Sequence, residues 1–233
     1  SNYNQVVNNP FVKNNKVCAD GLSLYFKLGY VPSGFGFFKK SYLLPQGSYL
    51  IISKNKASKI KQYFNYSDKP CNKLDESLSD VIHTSVQNEL ISDVPIGTFL
   101  SGGIDSSIIS LYANGYSKVN AFNIGFSSKE FDESLVAEKF AISNNIKFNK
   151  KVFDSVNIKQ LLEDNIAAYS EPFSDYSSLP TLLLSQFTKT KATVALSGDG
   201  GDELFYGYDR NRKYGGQASL MTSSFLELAL AHP

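Results

Sequence analysis

Phe99-Leu100-Ser101-Gly102-Gly103-Ile104-Asp105-Ser106-Ser107 is the stretch that decides the fold of this chain. An apolar run feeds a small, polar, glycine-rich turn, and a helical pattern follows at once. Strand, loop and helix in that order make an anion cradle. Backbone N–H groups at the loop and the helix start point toward negative oxygens, and glycines let the chain approach closely. The loop is neither G-x-G-x-x-G nor G-x-x-x-x-G-K-[ST], so the two commonest nucleotide loops are excluded as written. The competing account is a tight strand-to-helix turn whose small residues serve packing alone. A second stretch, Ser197-Gly198-Asp199-Gly200-Gly201-Asp202-Glu203, follows another apolar run, Thr193-Val194-Ala195-Leu196. Two such loops in one chain favour the cradle.

Charge and composition narrow the partners. The 233 residues carry 23 basic and 22 acidic side chains, for a formal charge of +1. A nucleic-acid surface normally shows a basic excess or stripe, so no nucleic acid is expected. The mild basic cluster over 147–151 reads as a solvated turn and strand start. Cys18 and Cys71 sit in no metal-ligand spacing, and His83 and His232 do not join them, so no zinc site is expected. Cys18 reads as a buried or incidental thiol. Nothing indicates a disulfide framework, which makes the cytoplasm the expected compartment. No run approaches about 18 apolar residues and no basic start precedes an apolar segment, so neither a membrane span nor a signal peptide is expected. There is no initiating methionine, and Ser1-Asn2 reads as a vector scar. The sequence is therefore expected to be a piece of a longer protein.

Residues 1–20 are polar and asparagine-rich, without lasting periodicity. A short helix is expected over 22–28, closed by Gly29. Residues 48–53 and 60–64 read as a β-hairpin around Lys54-Asn55-Lys56. This front segment, 1–70, is expected to be the linker and tail of a preceding β-rich domain, with the boundary at Ser67-Asp68-Lys69-Pro70. From 73 to 91, Leu74, Leu78, Val81, Ile82, Ser85, Val86 and Leu90 recur at helical spacing, and His83 falls off that stripe. Strands are then expected over 96–100, 119–126, 150–153 and 193–196. Helices are expected over 107–113 (ended by Asn114-Gly115), 131–142, 158–169 and 179–187. In the 131–142 helix Leu135, Val136 and Phe140 are expected to face inward, with Asp132 and Glu133 at its positive end. Such alternation is the βαβ signature of an α/β fold: a Rossmann-like parallel sheet with helices on both faces, preceded by a small β-hairpin segment. Ligands in such sheets bind beyond the carboxyl ends of the strands, where both loops emerge.

Within the first loop Ser101, Ser106 and Ser107 offer hydroxyls, and Gly102 and Gly103 offer backbone donors. Asp105 repels phosphate unless a cation stands between them, which argues for Mg²⁺ shared by carboxylate and phosphate oxygens. The other reading of Asp105 is a helix cap. In the second loop Asp199, Asp202 and Glu203 crowd together, with Asp202 the better second metal ligand; an exposed acidic turn is the alternative. Gly198, Gly200, Gly201 and Gly207 suggest close approach of a ligand to backbone.

The first loop resembles the pyrophosphate-binding loop of the ATP-pyrophosphatase superfamily. Together with Ser197-Gly198-Asp199-Gly200-Gly201-Asp202-Glu203-Leu204-Phe205-Tyr206-Gly207-Tyr208 it resembles the glutamine-hydrolysing asparagine synthetases. The likeness extends through Glu171-Pro172-Phe173-Ser174-Asp175, Leu179-Pro180-Thr181, Tyr25-Phe26-Lys27-Leu28-Gly29-Tyr30-Val31-Pro32 and Leu44-Pro45-Gln46-Gly47. It implies an adenine nucleotide alpha hydrolase-like fold. Residues 71–233 would then be the N-terminal part of the synthetase domain, and 1–70 the tail of a glutaminase-type domain. The family uses Mg²⁺ and ATP to adenylate the side-chain carboxylate of aspartate, releasing pyrophosphate. Glutamine-derived ammonia from the glutaminase domain then gives asparagine and AMP. By the same resemblance Ser101, Gly102, Gly103, Asp105 and Ser106 would hold the phosphates, with Asp105 and Asp202 on Mg²⁺. Phe99, Leu100, Ile124, Ser197 and Gly198 would line the adenosine site, and Asp199 and Asp202 would be the catalytic carboxylates.

Two departures stand out. The family carries Gly-Thr-x-His where this chain has Asn145-Ile146-Lys147-Phe148, and Asp where it has Ser170. The family's sheet portion also runs on, with a catalytic lysine, where this chain has Gly215-Gly216-Gln217-Ala218-Ser219-Leu220. The chain by itself is therefore expected to be inactive. The alternatives are an amidotransferase acting on a sugar acid or another carboxylate, or a nucleotide-binding domain without turnover. A homodimer is a further expectation.

Overall fold

The computed structural model describes residues 3–10, 16–54, 56–65, 76–127, 132–153, 156–169, 171–205 and 207–208. They form two compact units. One draws on residues up to 65 and on 162–176, the other on 76–161 and 177–208. The expected boundary at 67–70, Cys71, Phe131, Ser170, Tyr206, the 215–220 stretch and His232 lie outside the described residues.

In the first unit a short helix α1 (Tyr3–Val7) forms where the polar start shows no periodicity. Helix α2 (Ala19–Leu28) begins just after half-buried Cys18 and ends as expected at Gly29. Gly29 has a φ of 80°, and this left-handed turn lets its N–H reach the Tyr25 carbonyl at 2.8 Å. Leu24 is fully buried on the inner face of α2, and Phe37 stands edge-on to both Tyr25 and Phe38. The hairpin is present as short strands β1 (Ser48–Tyr49), β2 (Ile52–Ser53), β3 (Lys56–Ala57) and β4 (Lys61–Gln62). β1 pairs antiparallel with β4, and β2 with β3. The Ser174 N–H donates to the Gly29 carbonyl at 2.8 Å, which ties the Glu-Pro-Phe-Ser segment to the end of α2.

The second unit alternates helix and strand. Its elements are α3 (Leu78–Glu89), β5 (Ile96–Phe99), α4 (Ile104–Tyr116), β6 (Asn120–Phe126), α5 (Ser134–Ser143) and β7 (Lys147–Phe153). Helix α6 (Ile158–Tyr169) leads into the first unit; α7 (Ser178–Thr188), β8 (Val194–Leu196) and α8 (Gly201–Phe205) complete the second. The Ser77 hydroxyl caps α3 by accepting the Asp80 N–H at 3.2 Å. Four parallel strands stand in the order β7-β6-β5-β8. Side chains alternate between the two faces of the sheet. Ala121 and Phe148 pack with Ala137, Phe140 and Ala141 of α5, and the Ser110 hydroxyl of α4 donates to Thr98 Oγ1 at 2.9 Å. On the opposite face the fully buried Phe122 meets Phe187 of α7 edge-on, ring centres 5.7 Å apart. Burying one such ring stabilises by about 1.5–3 kcal/mol. The fold is therefore α/β, with helices on both faces of a parallel sheet.

Three local expectations are corrected. Leu135 and Val136 are 61% and 57% exposed, and the inward face of α5 is Ser134, Ala137 and Ala141. Small residues win that face because they let the helix lie close to the sheet. Helix α4 is not ended by Asn114-Gly115 but runs to Tyr116. Asn114 is held inside it because its side-chain amide donates to the Asn144 and Asn145 carbonyls, both at 3.4 Å. In α3, Val86 is buried with Ile82 and Leu90 against it, whereas Leu78 is 58% exposed. His83 is exposed, as expected, beside the Tyr112 and Tyr116 rings. At the sheet edge β7 carries Lys147, Lys150 and Lys151. Among the described residues no helix is long and apolar enough to cross a membrane.

Asn145, in the turn between α5 and β7, has a φ of 52°, the left-handed region that asparagine enters at less cost than most side chains.

In the first unit, burial raises the Glu171 carboxyl above its ordinary value of 4.5. The sign follows: the folded state holds the proton more tightly, so a penalty develops as pH rises above 4.5 through the folded-state value. Below 4.5 both states are protonated and the penalty vanishes. Glu171→Gln is expected to be more stable than the parent at pH 7 and to lose that advantage at pH 3.5, read from thermal melts at the two pH values.

Candidate functional site

Parallel pairing of β5 with β8 brings the two glycine-rich loops together. Thr98 stands level with Leu196, so the chain leaves both strands side by side. β6 and β7 lie on one side of β5, and β8 lies on the other. At such a divergence a crevice opens beyond the carboxyl ends of the strands. Here it is a cavity of about 730 Å³, within the range of about 300–1,000 Å³ usual for ligand pockets. All but Gly102 of the sequence-predicted site residues line it: Phe99, Leu100, Ser101, Gly103, Asp105, Ser106, Ile124, Ser197, Gly198, Asp199 and Asp202. Ser107 does not.

Hydroxyls hold the first loop in shape. The Ser106 Oγ donates to the Gly103 carbonyl at 3.2 Å and accepts the Ser101 N–H at 3.2 Å. With the Ser106 proton committed, the 2.9 Å contact between the two hydroxyls has Ser101 as donor. Ser101 Oγ in turn accepts the Gly103 N–H at 3.2 Å. These serines therefore shape the cradle as well as line it. Gly102 has a φ of 94°, and a β-carbon there would lie 2.9 Å from the Ala137 nitrogen. Only glycine fits that turn, which is why the residue faces α5 and not the cavity.

The second loop packs directly on the first. A β-carbon on Gly198 would lie 2.7 Å from the Ser106 nitrogen, and one on Gly201 would lie 2.5 Å from the Asp105 carboxyl carbon. A β-carbon on Gly207 would meet the Asp202 carboxylate. The close approach inferred from the glycines is real, but protein fills the space at these three positions. Asp105 is not the cap of α4, since Gly103 holds that position and Asp105 lies in the first turn. The Ser197 hydroxyl donates to Asp199 Oδ2 at 3.0 Å, and the Tyr208 hydroxyl donates to Glu203 Oε1 at 2.8 Å.

Sequence reasoning missed Asn123, Phe126, Glu133, Ser134, Thr181, Leu184 and Tyr208, which also line the cavity. A polar residue inside the apolar run of β6 was the available signal for Asn123. Ahead of α5, Asp132 Oδ1 accepts the Ser134 N–H at 3.0 Å. The neighbouring Ser134 hydroxyl first, and its amide second, hold the Asp132 carboxyl below its ordinary value.

The lining carries the carboxylates of Asp105, Glu133, Asp199, Asp202 and Glu203 and, among the described residues, no basic side chain. No set of three or more metal-ligating side chains converges among the described residues. Hard carboxylate oxygens without an all-protein cage suit Mg²⁺, which is usually held by one or two carboxylates plus substrate phosphates.

A family model described as Asparagine synthase matches residues 77–227. The putative glutamine-hydrolysing asparagine synthetase 2 of Methanocaldococcus jannaschii is 34% identical over 209 residues, which is 84% of this chain and 39% of that protein. The glutamine-hydrolysing asparagine synthetase 1 of Bacillus subtilis is 32% identical over 199 residues, or 83% of this chain and 32% of that protein. Among solved structures, an NH3-dependent NAD synthetase from Campylobacter jejuni is 20% identical with a TM-score of 0.38, over 56% of this chain and 58% of that one.

The contact between the loops makes a direct prediction. Gly198→Ala is expected to lower stability by about 1–3 kcal/mol, because the added methyl must push Asp105 and Ser106 aside. Gly115→Ala, built into open space near the end of α4, is expected to raise stability by about 0.4–1 kcal/mol. Urea denaturation of the two variants beside the parent reads both.

Proposed function

This chain belongs to the asparagine synthase family, and on that premise we propose that its cavity binds ATP with Mg²⁺ for amide synthesis on a carboxylate. One observation carries the proposal: both loops, with all the predicted residues except Gly102, line one cavity at the ends of adjacent strands. The loop from Ser101 to Ser106 and the start of α4 receive the phosphates. Phe99, Leu100 and Ile124, with Ser197 and Gly198, receive the adenosine. Asp105 and Asp202 would hold Mg²⁺, which would supply charge neutralisation where pyrophosphate departs. Asp199, oriented by the Ser197 hydroxyl, is placed to act where the adenylate forms and is consumed.

The acceptor in this reading is the side-chain carboxylate of aspartate. Its oxygen attacks the α-phosphorus, the bond to the β-phosphate oxygen breaks, and pyrophosphate leaves. Ammonia then attacks the activated carbonyl carbon, AMP leaves with the electron pair, and one proton of the ammonia is released, giving asparagine. A carboxylate attacks without a side-chain base, so this chain's residues orient, shield charge and exclude water. Ammonia derives from glutamine in a glutaminase domain of the whole protein, of which residues 1–70 form the linker and tail. A cytoplasmic location accompanies this chemistry.

Two measurements test the reading. Asp105→Asn is expected to weaken ATP binding in the presence of Mg²⁺ by about 2–3 kcal/mol, the order of a lost charge-assisted interaction. Removing Mg²⁺ from the parent should weaken it similarly, and calorimetric titration with ATP decides; equal affinity with and without the metal refutes the metal role. For the whole protein, the nucleotide products are expected to be AMP and pyrophosphate, resolved chromatographically. ADP and phosphate as the main products refute the reaction class.

A further inference from the structure

Glu133 is the carboxylate of the cavity that stands apart from the others. Asp199, Asp202 and Glu203 enter from the second loop, and Gly201 of that loop packs on the Asp105 carboxylate. Glu133 comes from the other side of β5, beyond the carboxyl end of β6 and just ahead of α5. The backbone fixes its position. Its carbonyl accepts the Val136 and Ala137 amides at 3.0 and 3.3 Å. That first turn of α5 packs on the first loop, where a β-carbon on Gly102 would lie 2.9 Å from the Ala137 nitrogen. The Glu133 side chain is exposed, lines the cavity, and takes no part in capping its helix. A carboxylate beside the phosphate loop is thus left open to a donor from whatever fills the cavity.

We propose that the Glu133 carboxylate accepts hydrogen bonds from the ribose 2′- and 3′-hydroxyls of ATP and thereby selects the ribonucleotide over its deoxy forms. This rests on the reading of the cavity as an ATP site and adds to it a sugar-specificity determinant. The choice among ATP's groups follows from their chemistry and from the two faces of β6. Phosphate oxygens carry like charge and are repelled by a carboxylate. The donors left are the adenine amine and the ribose hydroxyls. Phe122 meets α7, so by strand alternation Ile124 and Phe126 stand on that same face, where Pro180 and Leu184 of α7 join them at the cavity. That apolar wall suits the flat base. Glu133 leads into α5, which covers the opposite face and touches the phosphate loop. The sugar joins base to phosphates, so its hydroxyls are the donors that come to that side. Two neighbouring hydroxyls match the two oxygens of one carboxylate. An acidic residue some way beyond the phosphate loop holds a ribose hydroxyl in the dinucleotide folds for the same reason. Sites built to meet a donor reject the analogue that lacks it, because the protein group is then left unpaired.

The test compares binding of ATP, 2′-deoxyATP, 3′-deoxyATP and purine riboside triphosphate to the full chain by calorimetry at saturating Mg²⁺. The parent is expected to bind ATP about tenfold more tightly than either deoxy analogue. In Glu133→Ala both of those ratios should collapse toward equality. The ratio of ATP to purine riboside triphosphate, which lacks only the 6-amino group, should stay unchanged. A merely structural role would weaken all four together and leave the ratios intact, which overturns the proposal. A variant that changes only the ratio to purine riboside triphosphate moves the contact to the base and also overturns it. So does a variant whose ratios hold while its Mg²⁺ requirement changes, since Glu133 would then be a metal ligand. Glu133→Gln, checked for folding by urea denaturation, serves if the alanine variant does not fold, and should lower both deoxy ratios. The parent alone still decides, because equal affinity for ATP and both deoxy analogues refutes the assignment without any variant. In that outcome only this proposal fails. If the parent binds no triphosphate at all, the ATP reading of the cavity fails with it.

Discussion

Contact between two loops that lie far apart in sequence is the constraint on which this molecule is organised. Asp105 and Ser106 lie so close to Gly198 and Gly201 that no β-carbon fits between them. That contact demands adjacent strands in parallel register, which Gly97 opposite Ala195 and Thr98 opposite Leu196 provide. The chain meets it after placing β6 and β7 on one side of β5, by returning with β8 on the other. Loop composition and cavity position both follow from that contact. The buried Thr98–Ser110 hydrogen bond serves it too, by fixing the rotation of α4 relative to the strand that feeds the first loop.

The electrostatics follow from the same packing. Bringing the loops together concentrates acidic side chains around a cavity that has no basic lining among the described residues. Such a site repels a bare polyphosphate, and a divalent cation converts the repulsion to attraction by accepting oxygens from both sides. Serine hydroxyls do not offset the charge, because those of Ser101 and Ser106 are engaged in holding the loop. Geometry in the first loop and charge in the second are therefore separate contributions to one binding surface.

Much of this was legible in the sequence because the informative signals were local. Apolar runs, glycine-rich turns and a cap such as Gly29 act over a few residues, and each appears where the pattern put it. What escaped depended on distant partners. Leu135 and Val136 read as core until the closeness of α5 to the sheet gave that face to Ala137 and Ala141. Asn114-Gly115 read as a stop until Asn114 found carbonyls in the turn after α5. The glycines of the second loop read as room for a ligand, whereas Asp105 and Asp202 take up part of that room. Asn123 offered one signal, a polar residue inside an apolar run, but such a residue acquires its meaning only when its neighbours are known.

The lysines of β7 carry a consequence of another kind. This strand closes one side of the sheet, and its outer backbone groups have no strand beside them among the described residues. Such a border is where a second chain could add itself strand by strand. Lys147 and Lys151 stand along it, with Lys150 between them paired to Glu138 at 3.3 Å, so two such borders brought face to face set like charges against each other before their backbones could pair.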